Sequence, residues 1–347
     1  MVVVGIDSHK DTLAGCAIDE VGRPLDYRSF ANTAAGHAQA LGWVCRLGAG
    51  RVAVEGSGGY GRPLALVLVG ADIEVVDVPP QMTARARRGQ RSRHKSDPGD
   101  AVLIARVGAR EDDLPRPRPN GVIEDLRSLV LYRHEQVLAL NREANRLHAD
   151  LTQIRPGYKQ KIRGRLTRPS ALSRVVRLVS ADRSVRADIA RRRVRTTQRL
   201  LKHIAELDDQ IGQLLHAAGG AVLTDIYGIG TQSAAEILAQ VGDPTRYPTK
   251  ARFAMANGTA PLQASSGRVV RHRLNRGGNR RLNRTIHIAA ITQIRRPGTE
   301  GRLYYERLQA RGKTKTEAIR ILKRRISDRI WTHLQHLSTP PTAPNLT

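Results

Sequence analysis

Four acidic residues in the first third of the chain, Asp7, Glu55, Asp97 and Asp100, stand where a pair of divalent cations would need them beside a phosphodiester. Asp7 follows the apolar stretch Val2 to Ile6, and Glu55 follows Val52-Ala53-Val54, so both read as strand ends. In Lys95-Ser96-Asp97-Pro98-Gly99-Asp100, Pro98 suits the first helical position. Asp97 is then the expected N-cap and Asp100 the third helical residue, with both carboxylates toward one side of the helix start. Four carboxylates gathered in one place repel one another and take up protons unless cations balance them. Hard oxygen donors select Mg²⁺ or Mn²⁺. A metal pair about 3.5–4 Å apart can activate an attacking oxygen and steady a leaving one. Taken singly, Asp97 and Asp100 are ordinary helix-start acids and Asp7 closes a turn; the set is what points to chemistry.

The rest of the chain is strongly basic. Its 347 residues carry 58 Lys plus Arg against 31 Asp plus Glu, a formal charge of +27, which favours polyanionic partners. A GC-rich genome inflates arginine without function, but clustering argues for more than codon bias. Arg85, Arg87, Arg88, Arg91, Arg93 and Lys95 form one stretch without an acid. Arg268, Arg271, Arg273, Arg276, Arg280, Arg281 and Arg284 form another. Blocks this one-sided repel themselves until a polyanion neutralises them. Aromatic residues are only 3%, so contacts to backbone and shape should outweigh base stacking. No apolar run reaches the roughly 20 residues that span a bilayer, and the start of the chain reads as a first strand without a basic leader. Cys16 and Cys45 make no zinc spacing and are expected to be buried thiols in a reducing cytoplasm.

The length suits two or three domains. Residues 1–112 alternate strands and helices in the order strand, strand, strand, helix, strand, helix, strand, helix. That order predicts an α/β RNase H-like mixed sheet with helices on its faces. Residues 113–219 open on a Pro-rich linker and then change period. Leu126, Val130, Arg133, Val137, Leu140, Ala144, Leu147, Leu151 and Ile154 form a heptad seam broken at Arg133. Leu200, Ile204, Leu207, Ile211, Leu214 and Ala218 form a second. Together they predict an antiparallel helical hairpin or a dimerising coiled coil, with residues 156–196 as a basic tip. Residues 220–337 read as a mainly α domain with a Gly-rich middle, and residues 338–347 as a disordered tail.

Two further motifs invite chemistry. Tyr227-Gly228-Ile229-Gly230 before a helix resembles a helix-hairpin-helix turn, in which amides approach a phosphate; a tight interhelical turn is the plainer alternative. Ser265-Ser266-Gly267 precedes the second arginine cluster, and a serine so flanked is a candidate nucleophile, although Ser-Gly pairs are common in turns. Tyr60 lacks a surrounding Arg/His constellation and is expected to pack.

Gly-Ile-Asp-Ser-His-Lys at 5–10, Val-Glu-Gly-Ser-Gly-Gly-Tyr-Gly at 54–61, Lys-Ser-Asp-Pro-Gly-Asp-Ala at 95–101, Gly-Ile-Gly at 228–230 and the block 265–283 occur in that order. Taken together they resemble the DEDD-type insertion-sequence transposases of the IS110 kind, over nearly the whole chain. The resemblance implies a RuvC-like domain joined through a coiled coil to a C-terminal transposase domain. It implies that Asp7, Glu55, Asp97 and Asp100 are the metal-binding acids, and that Ser266, or Ser265 beside it, forms a phosphoserine link to DNA. It further implies bacterial DNA as donor and target, a structured noncoding guide RNA that reads sequence by pairing, and a homo-oligomer in which serine and acids of different subunits combine. A cytoplasmic, nucleoid-associated place of action follows. The competing readings are a RuvC-like nuclease or junction resolvase that activates water, and a non-catalytic nucleic-acid scaffold whose acids are helix caps.

Overall fold

The computed structural model describes residues 1–88, 97–112, 114–117, 121–263, 272–275 and 277–338, without the side chains of residues 88, 97, 98, 263, 272–274 and 338. The chain divides into two compact units, Met1–Pro119 and Asn120–Thr347.

In the first unit, β1 (Val3–Ser8), β2 (Thr12–Ile18) and β3 (Pro24–Ala31) form an antiparallel meander. After α1 (Ala34–Arg46), β4 (Arg51–Glu55) returns parallel to β1. After α2 (Arg62–Gly70), β5 (Val75–Val78) adds parallel to β4. The five strands lie in the order β3-β2-β1-β4-β5, the mixed sheet of an RNase H-like fold. Two helices follow, α3 (Pro80–Arg88) and α4 (Asp97–Arg110).

Period-2 alternation sends Val4, Ile6, Val52 and Val54 to one face, where they pack with Phe30, Trp43, Leu64 and Leu68. Val3, Ala53 and Val76 face the other way, onto Ala101, Ile104, Ala105 and Val107 of α4. Gly5, Asp7 and Glu55 share the parity of this second face. Helix α4 lies almost flush on it: a Cβ at Gly5 would come 2.2 Å from the Ala101 carbonyl oxygen.

Four expectations shift here. Helix α3 was not foreseen, since Pro79-Pro80 reads as a strand stop, yet a proline suits a first helical turn. The backbone makes Asp97 the first helical residue instead of the cap, so Asp100 is the fourth. Cys16 is buried as expected, but Cys45 is exposed. It falls outside the stripe Gly36, His37, Ala40, Trp43 and Val44 by which α1 meets the sheet. Tyr60 is exposed as well, on the loop between β4 and α2.

The second unit is built on two 33-residue helices, α5 (Val122–Ile154) and α7 (Val185–Ala217), packed against each other. Their cross-helix pairs fix the direction. Arg133 meets Asp208 at 3.2 Å, while further along α5 Glu143 and Asp150 accept from Arg193, earlier on α7, at 2.9 and 2.7 Å. The hairpin is therefore antiparallel within one chain, and the break in the first seam at Arg133 is an ion pair. On α7 the buried positions are Ala187, Ala190, Val194, Thr197, Ile204, Leu207, Ile211 and Leu215, while the expected Leu214 packs against the same core only partly buried. Beyond the hairpin's end, α6 (Pro169–Leu178) and a single 3₁₀ turn at 158–160 close a small core of Leu147, Leu151, Tyr158, Leu166, Leu172 and Val175.

At the opposite end Leu126, Val130, Ile211 and Leu215 join a larger core with Leu238, Phe253, Ile286 and Ile330. It is supplied by α8 (Thr231–Val241), α9 (Lys250–Ala256), α10 (Arg280–Arg295) and α12 (Lys315–Ser338), with α11 (Glu300–Ala310) packed at its edge through Tyr304. Strands β6 (Pro261–Gln263) and β7 (His272–Leu274) pair antiparallel, a small sheet in a unit read as mainly helical. Residues 339–347, most of the expected tail, lie outside the described residues. No described helix is long and apolar enough to cross a membrane.

Candidate active site

Asp7 and Glu55 are register partners at the carboxyl ends of adjacent parallel strands. Parallel pairing puts their side chains on the same face. Above that face begins α4, whose Asp100 is 6% exposed and points back into the unit. The three carboxylates interact. Burial pushes the Glu55 carboxyl above its ordinary value, and the charges of Asp7 and Asp100 push it the same way. Thr83 of α3, 1% exposed, and the Arg87 guanidinium draw it partly back. The Thr83 hydroxyl lies against Glu55 without closing a hydrogen bond of ordinary length.

Two basic side chains approach the acids, and Arg87 supplies a fixed positive charge. Arg87 donates to Asp100 Oδ1 from Nη2 at 2.5 Å and from Nε at 3.1 Å. His9 Nε2 lies 3.2 Å from Asp7 Oδ2. The loop after β4 is tied down by Ser57, whose Oγ donates to Asp77 Oδ1 at 2.5 Å, and by Ser8, whose Oγ donates to the Glu55 carbonyl at 2.5 Å. This donor set, crowded carboxylates among which Glu55 has raised proton affinity, suits a hard divalent cation. Among the described residues, however, no three acidic, His or Cys groups already close into a metal-binding cluster. The guanidinium of Arg87 takes up Asp100 instead. Asp97 contributes its backbone position at the head of α4; its side chain lies outside the described residues.

The other expected residues separate into groups. Arg85 is exposed on α3, whereas Arg87, read as a nucleic-acid contact, is turned inward to Asp100. Arg91, Arg93, Lys95, Ser265, Ser266, Arg268, Arg271 and Arg276 lie outside the described residues, as do the side chains of Arg88 and Arg273. Arg280 and Arg284 are exposed on α10, while Arg281 is held by Glu236 of α8 at 3.0 Å. Gly228 has φ +88 and backs onto the Ala289 carbonyl, so its lack of a side chain serves packing against α10. Gly230 is the open cap of α8, preceded by a 3₁₀ segment at 220–225 and not by a second α-helix.

The described residues on either side of segment 264–271 are held together. Asn279 N donates to the Ala256 carbonyl at 2.7 Å, and Asn275 Nδ2 to the Met255 carbonyl at 3.0 Å. A Cβ on Gly278 would meet Gly258 N at 2.2 Å, so the turn before β6 and the turn after β7 touch backbone to backbone. Sequence reading passed over Thr83, His9 and this asparagine clamp. Only His9 left a signal, two residues beyond Asp7.

A mixed sheet of this order with acids gathered at the ends of β1 and β4 defines an RNase H-like domain with a carboxylate site. A family profile for the IS110-type DEDD transposase matches residues 4–156, and one for the IS116/IS110/IS902 transposase family matches residues 220–306. The chain belongs to the IS110 family of insertion-sequence transposases. It is 29% identical over 389 aligned residues to the 44.8 kDa protein of insertion element IS116 from Streptomyces clavuligerus, covering 99% of this chain and 97% of that one. The 43.6 kDa protein of IS110 from Streptomyces coelicolor is 41% identical over 124 residues, 35% of this chain and 30% of its own length. The pilin gene-inverting protein of Moraxella lacunata is 24% identical over 335 residues, 93% of this chain and 92% of that one. Among solved structures, Thermus thermophilus RuvC in complex with a Holliday junction substrate is 21% identical over 30% of this chain and 90% of that one, with a TM-score of 0.25.

Proposed function

We propose that this transposase breaks and rejoins DNA strands through a transient phosphoserine bond to Ser266, with Asp7, Glu55, Asp97 and Asp100 holding Mg²⁺ or Mn²⁺. The observation that carries this reading is the convergence of Asp7, Glu55 and Asp100, where burial first, and the two neighbouring charges after it, raise the Glu55 carboxyl. Family membership and the similarity to a protein named for inverting a pilin gene support strand exchange over simple cutting. When bound, the metal supplies positive charge to the scissile phosphate and favours loss of the serine proton.

The chain's own residues do the rest. The Ser266 oxygen bonds to phosphorus as its proton departs, the bridging P–O bond to the sugar breaks, and the freed hydroxyl takes up a proton. A hydroxyl from a second strand then reverses the exchange, so one phosphoester bond replaces another and no nucleotide hydrolysis is required. The asparagine clamp joins the chain before β6 to the chain after β7, the two described stretches that flank the segment carrying Ser266. Arg85, Arg280 and Arg284, with the basic residues outside the described set, would hold duplex backbone. Sequence selection would fall to a structured guide RNA.

Ser266→Ala is expected to abolish covalent protein–DNA adducts on a denaturing gel. Adducts that persist would pass the role to Ser265 or remove it altogether. Free cut ends without adduct in both wild type and variant would make the protein a water-activating nuclease.

A further inference from the structure

The second unit buries one ammonium for which this chemistry has no use. Lys323 on α12 is 8% exposed, and its Nζ donates to Asn283 Oδ1 at 2.7 Å. Asn283 in turn donates to the Asn257 carbonyl at 2.9 Å, and Asn257 to Ser327 Oγ at 2.8 Å. Each of these partners is neutral. Among the described residues no carboxylate pairs with Lys323, and the charges that face it have its own sign. They are Arg280 from α10 and Arg320 from its own helix; His287 of α10 also faces it, its pKa lowered by burial first and then by Lys323, and the turn after α9 offers only the uncharged Asn257.

Helical spacing accounts for the gathering. Positions 280, 283 and 287 share a face of α10, and 320, 323 and 327 share a face of α12. Burial first, then repulsion from Arg280 and Arg320, brings the Lys323 ammonium down to about 8. A buried cation without an anionic partner is destabilising, and an apolar side chain of similar volume would serve the fold better. Three cations around a neutral amide lack only an anion.

We propose that Lys323, Arg280 and Arg320 form a seat for one phosphodiester group of a nucleic-acid strand. This deepens the function proposed above and rests on its nucleic-acid substrate. Guanidinium groups offer paired donors to phosphate oxygens, and the ammonium adds a point charge behind them. A seated phosphate favours the charged form of Lys323, so binding takes up a proton, and affinity falls as pH rises through about 8.

The test uses the full-length protein and its Lys323→Met, Lys323→Arg and Arg320→Ala variants, with a mixed-sequence DNA duplex and an RNA stem-loop as separate probes. Lys323→Met should keep or raise the thermal midpoint of the free protein while weakening binding. Its slope of log affinity against log salt should shrink by about 1, and its pH step near 8 should vanish. Lys323→Arg should keep the slope and lose the pH step; Arg320→Ala, at an exposed position, should lose slope without loss of stability. An effect with only one probe supports the seat and identifies which strand fills it. A lowered midpoint with unchanged binding would reduce Lys323 to a strut for Asn283 and overturn the proposal. So would wild-type slopes and pH profiles for every variant. Failure to bind either probe would instead remove the nucleic-acid reading beneath it, a different result from binding that ignores Lys323.

Discussion

Glu55→Gln is expected to lower strand cleavage by about 10²–10³-fold while making the free protein more stable at neutral pH. Glutamine keeps the shape but cannot supply the negative charge that a cation or a developing positive centre requires. The stability gain follows from the same crowding. Burial, together with Asp7 and Asp100, raises the folded-state pKa of Glu55 above its ordinary 4.5, so the folded protein holds this proton to higher pH than the unfolded chain. Stability contributed by the neutral form is therefore present at low pH and lost as pH rises through the folded pKa. Thermal midpoints in chelator should show the variant ahead at pH 7 and the gap closing on acidification toward 4.5. A variant no more stable than wild type at neutral pH would mean that the carboxylates do not strain one another.

Gly5→Ala should be nearly as damaging without touching an acidic group. The added methyl would sit 2.2 Å from the Ala101 carbonyl and 2.4 Å from Ala105 N, both in the backbone of α4. The helix must move, at a cost of about 1–3 kcal/mol or more. Asp100 moves with it, and an ångström of misplacement at a reacting centre can cost about 10²-fold in rate. Denaturant midpoints and cleavage assays should fall together. Gly58→Ala, where nothing lies within 4 Å of the new Cβ, should change stability by less than about 0.5 kcal/mol.

Much of the first unit is legible in sequence because its strands are short, apolar and bounded by turn residues, so that Asp7 and Glu55 announce themselves as strand ends. Asp100 is legible as a helix-start acid, but its partner is not. Arg87 lies in a run of arginines that reads as uniformly outward, and only the fold turns one of them inward to a buried carboxylate. On α7 full burial passes to Leu215, with Leu214 packed beside it, because a helix of 3.6 residues per turn drifts from a strict heptad. Lys323 gave no sign at all. It sits among Arg320, Arg324 and Arg325 in a helix whose polar residues look solvent-facing, and its burial depends on Asn283, forty positions earlier.

The paired helices α5 and α7 carry an unequal load at their two ends. One end is rooted in the large core around Phe253 and Ile286, the other holds the compact knob around Tyr158 and Leu172. At 1.5 Å per residue, 33 residues make an arm about 50 Å long. The knob's sequence, residues 156–196, is rich in arginine and has Asp182 and Asp188 as its only acids. A fixed rod of that length separates its root from its tip by nearly one and a half turns of B-form duplex, each about 34–36 Å. This one stretch of chain thus sets root and tip apart by a distance comparable to widely spaced points along a double helix, a ruler made of backbone.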